Sequence, residues 1–157
     1  MKLLWFMIMV GVFIIAIKLH WNVRKKLRNR FCNIFKKIFD KEFLLLIIRN
    51  IREDYDSSDV QLKFKYDIAV AIIESEVFNI QKQLESLIDL AEMVAKKAMG
   101  SSEQQDKIRN VISCLRQACA YNASSISNEK ELIEARDAIA KNRTKIYQIF
   151  WKSVNKL

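Results

Sequence analysis

The sequence predicts an all-α protein carried on one N-terminal transmembrane helix, and three observations lead there. The 157 residues include no proline and only two glycines, Gly11 and Gly100, so the turn chemistry that sheets and loop-rich folds draw on is nearly absent. Leu3 to Ile17 is an uninterrupted apolar run, LLWFMIMVGVFIIAI. Beyond it, apolar residues recur at threes and fours almost to the C-terminus, the period of a half-buried helix. With 51% apolar and 29% charged residues, the chain is too apolar to stay disordered. Its length suits one domain with an appendage.

Residues 1–21 form the predicted anchor. A spanning helix needs about 20 residues, and about 17 at the least; the apolar run alone supplies fifteen. Lys2 and Lys18 extend it because their ammonium groups reach the headgroups, and Trp5 and Trp21 are placed as interface anchors. From Lys2 to Trp21 the helix covers about 30 Å, the thickness of the hydrocarbon core. Leu3, Trp5, Phe6, Gly11, Phe13 and Ile17 mark the expected span. A cleaved signal peptide would need small residues at a cleavage site, and Ile15-Ala16-Ile17-Lys18-Leu19-His20-Trp21 offers a poor one, so the anchor is expected to be retained. Lys2 stands where myristoylation needs glycine, and there is no C-terminal prenylation box.

The flanks predict the orientation. Lys2 and the amino terminus precede the span, while six basic residues lie between Lys18 and Arg30. Basic residues stay on the cytoplasmic side. The expectation is a single-pass protein of the inner (plasma) membrane, N-terminus outside and body cytoplasmic. Cys32, Cys114 and Cys119 are odd in number and contain no Cys-x-x-Cys pair, which fits free thiols in a reducing compartment.

Residues 22–53 read as a basic amphipathic juxtamembrane helix. Residues 18–53 carry eleven basic and three acidic side chains, and Lys2 supplies the rest of the net +9; residues 54–157 balance fifteen against fifteen. Val23, Leu27, Phe31, Ile34, Phe35, Ile38 and Phe39 recur at helical spacing. This is the pattern of a helix lying in the membrane interface, rings at the acyl boundary and cations among anionic lipid headgroups. Lys18, Trp21, Arg24, Lys25, Lys26, Arg28, Arg30, Lys36 and Lys37 are the expected headgroup contacts. Nucleic acid is not an expected partner: the phenylalanines lie opposite the cations, where bases cannot stack between them, and the neutral body lacks a basic footprint. Phe43–Ile48 is too short to span, so it is either a shallow insertion or the place where the helix enters the core of the body.

Residues 54–157 make the predicted helical body. Ile51–Ser58 is the first strongly polar break. Ser58 with Gln61 reads as a capping box, and no breaker follows until Gly100. Within that stretch Val70, Ile73, Val77, Ile80, Leu84, Leu87, Ala91, Val94 and Ala98 alternate at threes and fours, a coiled-coil seam. Gly100-Ser101-Ser102 would close this helix and open the next, which runs to about Tyr121 with Ile108, Val111, Ile112, Leu115, Ala118 and Cys119 inward. Asn122–Ser127 is a short break. Asn128 with Glu131 caps a last helix whose stripe, Leu132, Ala135, Ile139, Ile146, Ile149 and Phe150, is interrupted by Asn142 and Arg143. Short turns make consecutive helices antiparallel, so the expected architecture is an elongated antiparallel coiled-coil hairpin or three-helix bundle. The interrupted stripe leaves part of the seam short of partners, which points to a homo-oligomer.

Motifs that carry chemistry are missing. His20 is the single histidine, no glycine-rich phosphate loop exists, and there is no Gly-x-Ser-x-Gly, His-Glu-x-x-His or Cys/His cluster. Glu85 and Asp89 share a helix face without a histidine to complete a metal set. The expectation is a non-enzymatic protein with no catalytic residues, cofactor, metal or small-molecule substrate, whose body binds a protein partner and modulates or blocks it. The compositional style is that of bacterial and prophage accessory proteins; superinfection exclusion, the blocking of incoming phage DNA at the inner membrane, is one function of that class. The alternative is a structural, membrane-tethered coiled coil, a scaffold or spanin-like envelope protein, that acts by self-association.

Overall fold

The computed structural model describes residues 1–53, 59–75, 77–97 and 102–151. Among them every regular element is helical: α1 (Lys2–Ile38), α2 (Lys41–Glu53), α3 (Val60–Glu74), α4 (Ile80–Lys97), α5 (Ser102–Cys119) and α6 (Glu129–Trp151), with a 3-10 turn at Ala123–Ser125. The expected polar boundary at 54–58, with Ser58 as a cap, the Gly100–Ser101 turn, the seam residue Ala98 and the chain beyond Trp151 lie outside the described residues.

The anchor and the first half of the juxtamembrane segment are one helix. α1 runs unbroken for 37 residues, about 55 Å, because nothing between Lys2 and Ile38 kinks a helix. It stops where Phe39 leaves helical geometry, its N–H still bonded to the Phe35 carbonyl at 2.8 Å. The Asp40 carboxylate then accepts the N–H of Phe43 at 2.8 Å and opens α2 as a side-chain cap.

The two halves of α1 have opposite environments. Large apolar residues from Leu3 to Val23 are exposed, whereas Leu27, Phe31 and Phe35 are buried. Phe31, Phe35, Phe39 and Phe43 form a ladder with successive ring centroids 5.6 Å apart, carried across the α1–α2 junction. This corrects the interfacial helix expected over 22–53. The apolar face meant for acyl chains is covered by the protein itself, and Phe43, Leu44, Ile47, Ile48 and Ile51 continue into the same core. Of the two readings of Phe43–Ile48, entry into the core is the one observed. The packed unit therefore begins near Leu27, and α2 and α3 contribute to the same core.

The uninterrupted helix expected up to Gly100 is instead two. Asp59 caps α3, accepting the N–H groups of Gln61 at 3.0 Å and Leu62 at 3.2 Å, and α3 ends at Glu74. Ser75 turns out to an extended conformation. Asn79 then caps α4 by accepting the Lys82 N–H at 2.8 Å. Gln83 completes the turn: its side-chain amide donates to the carbonyls of Ile73 at 3.2 Å and Ile72 at 3.4 Å, which a helix end leaves without partners. Serine, asparagine and glutamine do here what glycine was expected to do. The seam is broken accordingly. Ile73, Ile80, Leu84, Leu87, Ala91 and Val94 are buried and Val70 is half-buried, but Val77 is 89% exposed.

Side-chain contacts give the helix directions. Gln83 sits at the end of α3 and Lys97 bonds Asp59 at its start, 3.2 Å away, so α3 and α4 are antiparallel. Lys107 near the start of α5 lies over the Phe150 ring near the end of α6, so these two are antiparallel as well. α6 follows the direction of α1: Glu129 at its start meets Arg30, and Arg143 stacks 4.6 Å over Phe43. Its cap is the expected one, with the Glu131 N–H on Asn128 Oδ1 at 2.9 Å and the Ser127 N–H on the Glu131 carboxylate at 2.7 Å. Asn142 occupies a core position at 5% exposure and returns its amide to the Ala138 carbonyl at 3.1 Å. All six helices contribute to one continuous core.

Two predictions follow from this packing. Leu84→Ala should cost about 2–5 kcal/mol and Phe35→Ala about 3–5 kcal/mol, while Val77→Ser should fall within about 0.5 kcal/mol. Chemical denaturation of the three variants checks the hairpin, because a continuous seam would make the Val77 change costly too. The second concerns acid. The Leu62 N–H lowers the Asp59 carboxyl, Arg30 lowers Glu129, and the Ser127 N–H lowers Glu131. Groups depressed in the folded state stabilise it above their unfolded pKa, and that contribution is lost as pH falls through the folded values. The melting temperature should therefore drop on going from about pH 7 to about pH 3, and less steeply in a variant combining Asp59→Asn, Glu129→Gln and Glu131→Gln.

Candidate membrane anchor and basic collar

Among the described residues, α1 is the helix long and apolar enough to cross a membrane, and its apolar stretch is wholly unburied. Leu3, Trp5, Phe6, Phe13 and Ile17 are exposed, and a methyl group added at Gly11 would meet nothing within 4 Å. A soluble protein rarely exposes so large an apolar surface.

The cations that follow are arranged by depth along the same helix. Lys18, Lys25, Lys26 and Arg30 are exposed, with Arg24 and Arg28 partly covered. Lys36 stands eighteen residues beyond Lys18, about 27 Å further along an unbroken helix. A headgroup layer is only about 5–8 Å deep on each side. If the apolar half crosses a bilayer, Lys36 and Lys37 stand in water beside the body. Measured from Trp21, where the span of about 30 Å would end, Arg24, Lys25 and Lys26 fall within the headgroup layer, Arg28 lies about 10 Å out with a side chain long enough to reach back, and Arg30 lies about 14 Å out and is engaged with Glu129.

The collar also touches the body. Arg30 grips Glu129 through both guanidinium nitrogens at 2.6 and 2.8 Å; this raises the Arg30 pKa and lowers that of Glu129. Both side chains are more than half exposed, so the pair fixes where α6 starts more than it stabilises the fold. Arg24 lies close enough to Glu131 to lower its pKa, after the larger effect of Ser127. The contact between collar and α6 was not foreseen, since sequence spacing cannot pair residues a hundred positions apart.

A second surface also went unnoticed in the sequence. On α3, Val60, Phe64 and Ile68 follow one another at fours on the exposed side, continued by Val77 and Phe78 after the turn. Leu62, Ala69 and Ile73 of the same helix are buried. α3 is apolar on two faces and the body covers one of them. The signal was present in the spacing, but a single long seam absorbed it.

The remaining features are bland. Burial pushes the Cys119 thiol up to about 11, helped by Glu85, and raises Cys114, so neither is an activated thiolate. An open groove between α4 and α5 has Arg116 engaged with Glu92 and Arg109 lying 3.8 Å from Asp106. Among the described residues no three His, Cys, Asp or Glu side chains gather as a metal site. No protein-family model, curated protein or solved structure matches the chain.

Proposed function

We propose that this chain is a non-enzymatic, single-span membrane protein that presents a helical body to a protein partner at the cytoplasmic face of the inner membrane. The observation that carries the reading is the switch along α1. One continuous helix passes from exposed apolar surface at Val23 to buried core at Leu27 within about one turn. A lipid-facing segment followed without interruption by a core-facing one makes the body a fixed extension of its anchor. The basic residues between Lys18 and Arg30 support the cytoplasmic placement.

The partner surface in this reading is the outer face of α3, centred on Phe64. Most of the seam, from Ile80 to Val94, is covered within one chain, so a homo-oligomer in this reading would form through surface left open elsewhere. The exposed α3 face offers that contact, and it supports the structural alternative equally if the partner is a second copy.

Three measurements test these statements. The full chain should stay in the membrane pellet after alkaline carbonate extraction, and removal of residues 2–19 should release it. A reporter fused after Leu157 should be active only in its cytoplasmic form; activity on the outer side would reverse the topology. A photocrosslinker at position 64 should capture a membrane protein that one at Glu134 does not. Capture of this chain alone would replace the partner reading with self-association.

A further inference from the structure

We infer that the collar contains a discrete binding site for the phosphate of one anionic lipid headgroup, centred on Arg24 and Arg28. The inference rests on the membrane reading above and goes further, because general attraction of cations to an anionic surface requires no site. His20, Trp21, Arg24, Lys25 and Arg28 enclose a cleft of about 360 Å³. Residues 20, 24 and 28 succeed one another at fours and 21, 25 and 28 at four and three, so all five share one face of α1. No carboxylate lines the cleft.

Arg24 supplies the independent observation. Its Nε–H is enclosed and has no hydrogen-bond acceptor. Enclosed donors almost always have partners, and an unmet donor on a charged group is especially unfavourable. Glu131 is the nearby carboxylate, but its bonds go to Ser127, and it takes none from Arg24 Nε. That nitrogen is closed to solvent as the side chain stands, so Arg24 would have to turn within the cleft to offer it, with the terminal guanidinium nitrogens, to a phosphate oxygen. Guanidinium groups suit this ligand because they present parallel N–H donors to two oxygens at once.

Position selects the lipid over free phosphate. The cleft begins three residues after Ile17, where the apolar run ends, and Trp21 in its wall is a residue of the membrane–water boundary. A headgroup at that depth is held by its own acyl chains against the exposed Leu19 and Val23. A dissolved anion lacks that second contact.

The test uses the full chain, purified in mild detergent and titrated with phosphatidylglycerol while bound lipids are counted by native mass spectrometry. One lipid should bind more tightly than the rest. Arg24→Gln combined with Arg28→Gln should weaken that event about thirtyfold, as expected for two contacts of about 1 kcal/mol each. Lys36→Gln combined with Lys37→Gln removes the same charge from the same helix, outside the cleft and beyond the headgroup layer, and should change it less than about threefold. Arg24→Lys, which keeps the charge but loses Nε–H, should weaken the same event by about fivefold, the share of one contact. Equal losses in the two double variants would overturn the site in favour of diffuse attraction. Displacement of the lipid by millimolar inorganic phosphate would overturn its assignment to a lipid. Circular dichroism of each variant confirms that the helices persist. Retention in carbonate-washed membranes with no privileged lipid would refute this site alone; release by carbonate would refute the membrane reading itself.

Discussion

The phenylalanine ladder on α1 and α2 is the interaction on which the rest of the molecule depends. Phe31, Phe35, Phe39 and Phe43 place four rings in edge or tilted contact at 5.6 Å, an arrangement that favours aromatic pairs beyond simple burial. Each buried ring contributes roughly 1.5–3 kcal/mol by burial alone. Four in succession make the second half of α1 an integral part of the core, not a linker. The junction at Phe39–Asp40 would otherwise be a hinge; here Phe39 belongs to the ladder while Asp40 caps the next helix. The exposed apolar half of α1 and the body are thereby one folded object, and the helix passes from exposed apolar surface to buried core without a change of backbone.

Charge is distributed to agree with that division. The whole net charge lies in residues 1–53 and the remainder balances. Of the cations between Lys18 and Arg30, Arg30 is paired with Glu129 and Arg24 lies near enough to Glu131 to lower its pKa, both at the start of α6. Carboxylates in a first helical turn favour the helix macrodipole, so Glu129 and Glu131 serve the helix and the collar together. Farther along, Arg143 over the Phe43 ring ties α6 to the last rung of the ladder. α6 is thus tied to the α1–α2 unit by an ion pair at its start and a cation–ring contact past its middle.

The sequence made the helical class legible because composition and periodicity are local properties. The apolar run and its basic flank were legible for the same reason, as was the Asn128–Glu131 cap, which is a four-residue device. Two things were not. The turn at Ser75–Asn79 contains neither glycine nor proline, and the apolar period continues through it by coincidence at Val77. Only Gln83, reaching back to the end of α3 from the following helix, makes that turn self-sufficient, and such a contact has no signature in spacing. The fate of the Phe31–Phe39 face was equally hidden. An amphipathic helix records that one face is apolar, not whether lipid or protein covers it, and the apolar run beside it is compatible with either. The spacing carries both apolar faces of α3 and the shared face of the five cleft residues on α1, but only the assembled helices show which α3 face stays open and that Arg24 Nε is enclosed.

The unbroken α1 has one more consequence, which concerns angular phase. Each residue in an α-helix advances about 100° and 1.5 Å. Because no flexible segment separates Ile17 from Leu27, the azimuth of the body around the span is indexed by the number of residues between them. Inserting one residue after Val23 would turn the body about 100° relative to the anchor, whereas inserting seven would raise it about 10 Å and leave its facing almost unchanged. If the apolar half of α1 crosses a membrane, the outer face of α3 is therefore aimed in a fixed compass direction within its plane. The length of the helix, and not only its composition, is part of what this chain encodes.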